Sequence, residues 1–171
     1  MPSFVYFAYG SYMLCAHLRE RCPSAEPLGT GWVGGYRVVF DKHGRDGSGK
    51  ATLRPDAGND AAVHGVLYRI ADFERDALDA AEARYDRLDN FAVRPDFGES
   101  PILASVYIAP PEACRSNLAP FDWYVALIES GAREHDLHSD YIARLCGIEA
   151  TADDDAARSV LMNELAKFKR T

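Results

Sequence analysis

The order of its segments is what most constrains this chain: strand-forming stretches fill the first two thirds, and helix-forming stretches close it. Residues 4–8 are aromatic and branched, as in a strand. Residues 31–41 read as one long strand with glycines at a bulge or bend. A further strand is expected over 63–70, and a pair over 87–95 and 102–109, separated by a Pro-Asp-Phe-Gly-Glu-Ser-Pro turn. Short helices are expected over 12–22, ending before Pro23, and over 73–83, with Asp72 as N-cap. Longer ones follow at 120–131, 139–147 and 153–169. In the last, Ala157, Leu161, Leu165 and Phe168 share a face, and Asp153, Asp154 and Asp155 favour its N-terminus. Strands first and helices last indicate an α+β fold rather than a wound βαβ sheet. No repeat or linker divides the 171 residues, so 1–171 reads as one domain, long enough to bury a core.

Charge and composition narrow the partners. The net charge is -7 and no Lys/Arg cluster could track a phosphate backbone, which argues against nucleic acid. No run reaches the length of a membrane span, and the N-terminus lacks the basic segment and cleavage site of a signal peptide, so a cytoplasmic location is expected. The four cysteines, Cys15, Cys22, Cys114 and Cys146, form no Cys-x-x-Cys pair. They read as reduced, buried or half-buried thiols, and none stands beside a histidine in a nucleophile-like arrangement. His135-x-x-His138 lies in a polar stretch that reads as a loop and helix start, so no metal is expected. The glycine-rich tract from His43 to Lys50 lacks the Gly-Lys-Ser/Thr ending and following helix of a phosphate loop, and reads as a hairpin loop.

Two places carry chemistry. In Phe4 to Met13, a strand breaks at Gly10-Ser11 and gives way to a helix-compatible segment. Such a junction frees backbone N–H groups to hold an anion or a polarised carbonyl oxygen, although a plain buried strand and turn have the same pattern. In the helix that follows Asp72, the residues Phe73, Ala77, Leu78 and Ala81 make an apolar face. Glu82 falls at its margin, and Tyr85 follows three residues on. Partial desolvation and the negative helix end would raise the carboxyl pKa toward a general acid/base range. Spacing alone equally allows a solvated Glu82. Glu74 also projects near the face, where a first-turn acid has a ready structural role.

Family resemblance bears on both places. The string Phe-Ala-Tyr-Gly-Ser-Tyr-Met resembles the YGSN signature of the γ-glutamylcyclotransferase family, related to plant AIG2-like and butirosin-pathway cyclotransferases. Leu78-Asp79-Ala80-Ala81-Glu82 is similar to that family's L-D-x-x-E-G segment, whose glutamate is the general acid/base. Two positions depart from the pattern: Ala83 where glycine is usual, and Tyr12 where YGSN has asparagine. Leu18-x-x-Arg21-Cys22-Pro23, Gly65-Val66-Leu67-Tyr68, Pro120-x-x-x-Tyr124 and Gly131-Ala132 follow in family-like order, so the resemblance covers roughly residues 4–149.

The resemblance implies a small, mostly antiparallel or mixed barrel-like sheet flanked by helices. It implies a substrate cradle of Tyr6, Phe7, Ala8, Tyr9, Gly10 and Ser11, with Glu82 as acid/base. Tyr124 would present a hydroxyl to substrate, or serve only as a half-buried helix aromatic; Tyr107 is a weaker candidate. The implied reaction is intramolecular aminolysis: the α-amine of a γ-glutamyl substrate attacks its own γ-carbonyl, releasing 5-oxoproline and an amine without a cofactor. The expected partner is that small γ-glutamyl molecule, and a homodimer is admitted. Removal of a γ-glutamyl protecting group in a biosynthetic pathway, or silent binding of a small carboxylate, are the alternatives.

Overall fold

β1 (Ser3–Ala8) has a strand partner on each edge and is buried from Tyr6 to Ala8. The computed structural model describes residues 1–167. β1 runs antiparallel to β5 (Ala62–Ala71), in register from Ser3↔Ala71 to Ala8↔Val66. β5 pairs with β2 (Glu26–Gly34), β2 with β6 (Asp86–Pro95), and β6 with β7 (Ile102–Ile108), all antiparallel. β7 then returns parallel to β1 at Tyr6↔Ser105 and closes a five-strand barrel. Closure leaves no open sheet edge. Phe7, Leu67, Tyr68, Ile70 and Val106 are buried in the core. Each side chain of this size contributes roughly 1.5–3 kcal/mol by leaving water.

The single strand expected over 31–41 is two. Gly35 adopts a left-handed φ of 78°, a conformation that glycine takes without steric cost, and the chain leaves the barrel there. β3 (Tyr36–His43) pairs with β4 (Gly49–Pro55) as a separate two-stranded sheet. β4 was not among the expected strands. The tract between them is the expected hairpin loop, closed by Gly44 N–H to Ser48 O at 2.9 Å. Gly49 N–H donates to Ala119 O at 2.9 Å and ties the hairpin to the segment before α3 (Asp122–Glu134). Lys50 reinforces this, bonding Asp46 at 2.7 Å while lying 4.6 Å over the Tyr124 ring.

Several helix expectations need correction. Residues 12–22 are not one helix: a 3-10 turn over Ser11–Met13 is followed by α1 (Cys15–Arg19), with Leu14 extended between them. This break lets Met13, Leu14 and Leu18 all be fully buried. The helix expected over 73–83 is a 3-10 turn (Asp72–Glu74) and then α2 (Arg75–Ala81). Asp72 is not its N-cap; its carboxylate pairs with Arg75 at 3.0 Å. Phe73 is 71% exposed, so it leaves the apolar face. α4 (Ser139–Cys146) matches expectation, except that Cys146 is exposed rather than buried or half-buried.

α5 (Ala156–Ala166) is rotated from the expected face: Ala157 is exposed and Leu161 is 66% exposed, while Met162, Leu165 and Ala166 pack inward. Phe168 lies outside the described residues. Asp153 sets this rotation by accepting from Trp123 Nε1 at 2.7 Å and from the Arg158 guanidinium at 2.6 Å. Asp155 caps the helix through Arg158 N–H. Among the described residues, no helix is long and apolar enough to cross a membrane.

Glu74 has the structural role its position suggested. It is buried, and its carboxylate accepts from Ser24 Oγ at 2.6 Å and Ser24 N–H at 3.2 Å, joining the start of α2 to the segment after α1. Glu74→Ala strands these donors and is expected to cost about 1–3 kcal/mol. Denaturant unfolding should show the loss, with turnover per folded molecule retained; unchanged stability would mean the bonds contribute nothing.

Candidate active site

The barrel, the β3–β4 hairpin and the helices α3 and α5 enclose a cavity of about 320 Å³. Tyr6 and Tyr9 enter it from the end of β1, and Gly10 and Ser11 from the turn beyond. Glu82 enters at the C-terminal cap of α2, with Tyr85 close behind. Tyr107 comes from β7, Tyr124 and Trp123 from α3, and Lys42, Lys50 and Ala51 from the hairpin strands. Seven of the expected site residues therefore share one cavity: Tyr6, Tyr9, Gly10, Ser11, Glu82, Tyr107 and Tyr124.

Phe7 and Ala8 do not line it. Both are fully buried, Phe7 beside the Tyr9 ring and Ala8 with its carbonyl against Gly65. The cradle assigned to the whole stretch from Tyr6 to Ser11 is thus corrected. Alternation along β1 puts Phe7 on the face opposite Tyr6, while Ala8 shares the Tyr6 face but is fully buried short of the cavity.

Glu82 is the carboxyl that the cavity desolvates. Its N–H completes α2 by donating to Leu78 O at 2.9 Å, and its side chain turns into the cavity. Burial raises the carboxyl pKa to about 7, against the opposing pull of a hydrogen bond from Tyr6 and the charge of Lys42. The Tyr6 hydroxyl donates to Glu82 Oε1 at 3.2 Å. Tyr6 is braced in turn: Tyr107 meets its ring edge-on with centroids 5.9 Å apart, and the Tyr107 hydroxyl donates to Asp79 Oδ1 at 2.6 Å. Asp79 also pairs with Arg87. This gives the aspartate of the Leu-Asp-x-x-Glu segment a part that spacing did not reveal.

Ala51 joins two further tyrosines. Its N–H donates to the Tyr124 hydroxyl at 3.1 Å, and its carbonyl accepts from the Tyr85 hydroxyl at 2.8 Å. Tyr12 also lines the cavity, its ring tilted 36° against His17 with centroids 4.9 Å apart.

The departure at Ala83 has a local explanation. The left-handed residue of the turn after α2 is Arg84, with φ 68°, so position 83 has no need of glycine. A branched-backbone cost falls on Arg84 instead, about 1 kcal/mol for a non-glycine residue in this region. Arg84→Gly should therefore stabilise the protein by about 0.5 kcal/mol, net of the added freedom of the unfolded chain. A thermal melt that falls by several degrees would contradict this.

Outside the cavity, the fold brings together groups the sequence kept apart. Cys15 Sγ lies 3.5 Å from His135 Nε2, and Glu134 accepts from Cys15 N–H at 2.8 Å. Among the described residues, Cys15, Glu134 and His135 are the one group offering three metal-type donor atoms, all within 4.8 Å of one another. They also bond one another and the Tyr68 hydroxyl, clamping α1 against the end of α3. Burial would lower the His135 pKa, but bonds to Cys15 and Glu134 outweigh it and raise it to about 9. His138 takes no part: it is exposed and accepts from Asp140 N–H.

Comparison with known proteins places this geometry. A solved γ-glutamyl cyclotransferase is similar over 95% of this chain and 99% of its own, at 23% identity and a TM-score of 0.83. An uncharacterized protein from Homo sapiens is similar over the same shares, at 24% identity and a TM-score of 0.82. A cyclotransferase from yeast, specific to glutathione, covers 97% of this chain and 96% of its own at 12% identity, with a TM-score of 0.56. Such likenesses show the fold. No curated protein sequence matches the chain. The model of the family "Gamma-glutamyl cyclotransferase, AIG2-like" matches residues 6–125, a span that holds the Tyr-Gly-Ser turn, Glu82 and Tyr124, and the chain belongs to that family.

Proposed function

We propose that the protein cyclises a γ-glutamyl amino acid or amine to 5-oxoproline and frees the amine. The observation that carries this reading is Glu82, a half-buried residue whose carboxyl pKa desolvation raises to about 7 in the same cavity as the Gly10–Ser11 turn. An ordinary carboxylate is too weak a base to take a proton from an α-ammonium, whose pKa is about 8, and burial narrows that gap.

Tyr6 holds Oε1, which leaves Oε2 to take the proton. The freed α-nitrogen attacks the γ-carbonyl, and the new C–N bond closes the five-membered ring. Backbone N–H groups of the Gly10–Ser11 turn receive the developing oxyanion. The Tyr124 hydroxyl, which accepts from Ala51 N–H, has its own hydrogen to offer a substrate oxygen. As the bond to the leaving amine breaks, Glu82 gives its proton to that nitrogen; the ring nitrogen, which still carries two hydrogens after attack, releases one, and the amine leaves as its ammonium with no net proton change. Both reacting groups belong to one molecule, so holding it folded supplies much of the rate and no cofactor enters.

Purified protein incubated with γ-glutamyl amino acids, γ-glutamyl amines and glutathione should release 5-oxoproline from at least one class. Failure with all three would overturn the assignment.

A further inference from the structure

Lys42 is the side chain this mechanism leaves unused. It is only 7% exposed, yet it lines the cavity. Its ammonium lies 4.6 Å from the centre of the Tyr85 ring, a face that attracts cations but cannot neutralise one. Other cations at the cavity have anions: Lys50 meets Asp46 at 2.7 Å, and Arg158 meets Asp153 at 2.6 Å. Arg45 is exposed and solvated. Among the described residues, Lys42 enters no ion pair; the acid that acts on it is Glu82, through its field rather than by contact. A buried ammonium without a counter-ion is costly, and burial depresses its pKa accordingly.

We infer that Lys42 forms a carboxylate subsite within the cavity, where it holds the α-carboxylate of the substrate beside Glu82. The inference rests on the cyclotransferase reading and specifies which part of the substrate the cavity selects. In a γ-glutamyl compound the α-carboxylate and the α-amine share one carbon. Whatever receives the carboxylate must therefore stand next to the base that takes the amine's proton, and Lys42 is the buried cation in that place. The γ-carbonyl is then left to the Gly10–Ser11 turn, which lines the same cavity. Compounds with a γ-acyl group but no α-carboxylate leave the ammonium unpaired and bind poorly.

The product pair 5-oxoproline and 5-oxoprolinamide isolates this contact, because the two differ only in the charged group. Calorimetric titration should show the wild type binding the acid about 10–100-fold more tightly, the worth of a charge-assisted bond. Lys42→Met should bring the two affinities together, mainly by weakening the acid; Lys42→Gln serves where the methionine variant does not fold. A purely structural Lys42 would leave the preference intact. A variant that keeps the wild-type preference, or a wild type that has none, overturns the subsite. A wild type with a Lys42-dependent preference that releases no 5-oxoproline from any γ-glutamyl compound overturns the cyclotransferase reading and leaves the carboxylate subsite standing.

Discussion

Glu82→Gln is expected to lower kcat at least about a hundredfold while leaving the fold intact. The amide nearly preserves size and can still accept the Tyr6 hydroxyl at the position of Oε1. It cannot take the ammonium proton, and without that transfer the α-nitrogen has no lone pair for attack. General acid/base catalysis contributes about 10²–10⁴ in rate, or roughly 3–5 kcal/mol of barrier. The same carboxyl predicts two pH effects. Wild-type turnover should rise as pH passes through about 7, since only the ionised form is a base. Stability should move the opposite way. The folded pKa of about 7 exceeds the ordinary 4.5, so between these values the native state holds a proton that the unfolded chain has released. Stability from this group is complete below about 4.5, falls as pH rises, and is lost above about 7. Glu82→Gln should remove that slope and melt no lower than the wild type at pH 8. Wild-type turnover by the variant on a confirmed substrate would refute the mechanism.

Gly131→Ala is expected to destabilise the scaffold and to disturb the cavity with it. A Cβ at this position would lie 2.5 Å from Leu14 N, 2.6 Å from Met13 C and 2.7 Å from Met13 Cβ. Two of these neighbours are backbone atoms and cannot rotate away, and Met13 and Leu14 are fully buried. α3 would have to back off the Ser11–Leu14 segment. Overpacking of this kind costs about 1–3 kcal/mol, a fall in Tm of about 2–12 °C for a chain of this size. The displacement reaches the cavity because α3 also carries Tyr124, two turns away, with its hydroxyl on Ala51 N–H at 3.1 Å. Calorimetry should show the lower Tm, and kcat/KM measured well below it should also fall. A variant melting with the wild type would show that the helix crossing has slack.

The contrast with Gly10 shows where sequence patterns reach and where they stop. Gly10 marks the end of β1 and was the natural place to expect a steric demand. Its φ is -114°, and an added Cβ would make only ordinary contacts, 3.5 Å to Ala51 Cβ and 3.6 Å to the Tyr124 hydroxyl. Tighter glycines lie elsewhere: Gly49 against Phe40 O, Gly65 against Ala8 O, and Gly131, whose constraint comes from a segment more than a hundred residues earlier. The α+β class was legible because β-branched and aromatic runs announce β1, β5, β6 and β7. The parallel closure at Tyr6↔Ser105 was not, since a single long-range pairing has no composition. β4 was hidden by its Gly-Lys start, and the split at Gly35 looked like a bulge because a positive φ serves either. At the site, Glu82, Gly10, Ser11 and Tyr124 came through short motifs. Lys42 and Ala51 did not, as nothing in a hairpin strand says which residue will face a cavity built by other elements.

The role of Ala51 has a consequence for how such a protein can change. The hydrogen bonds that fasten the hairpin to Tyr85 and Tyr124 come from the peptide group of Ala51 rather than from a hairpin side chain. This pair of bonds is therefore nearly blind to the side chain carried at position 51. The bracing of the acid, from Asp79 through Tyr107 and Tyr6 to Glu82, runs wholly outside the hairpin. Changes at Arg45, which lines the cavity from the hairpin loop, can accordingly reshape its wall without touching the hydrogen bonds that hold Glu82.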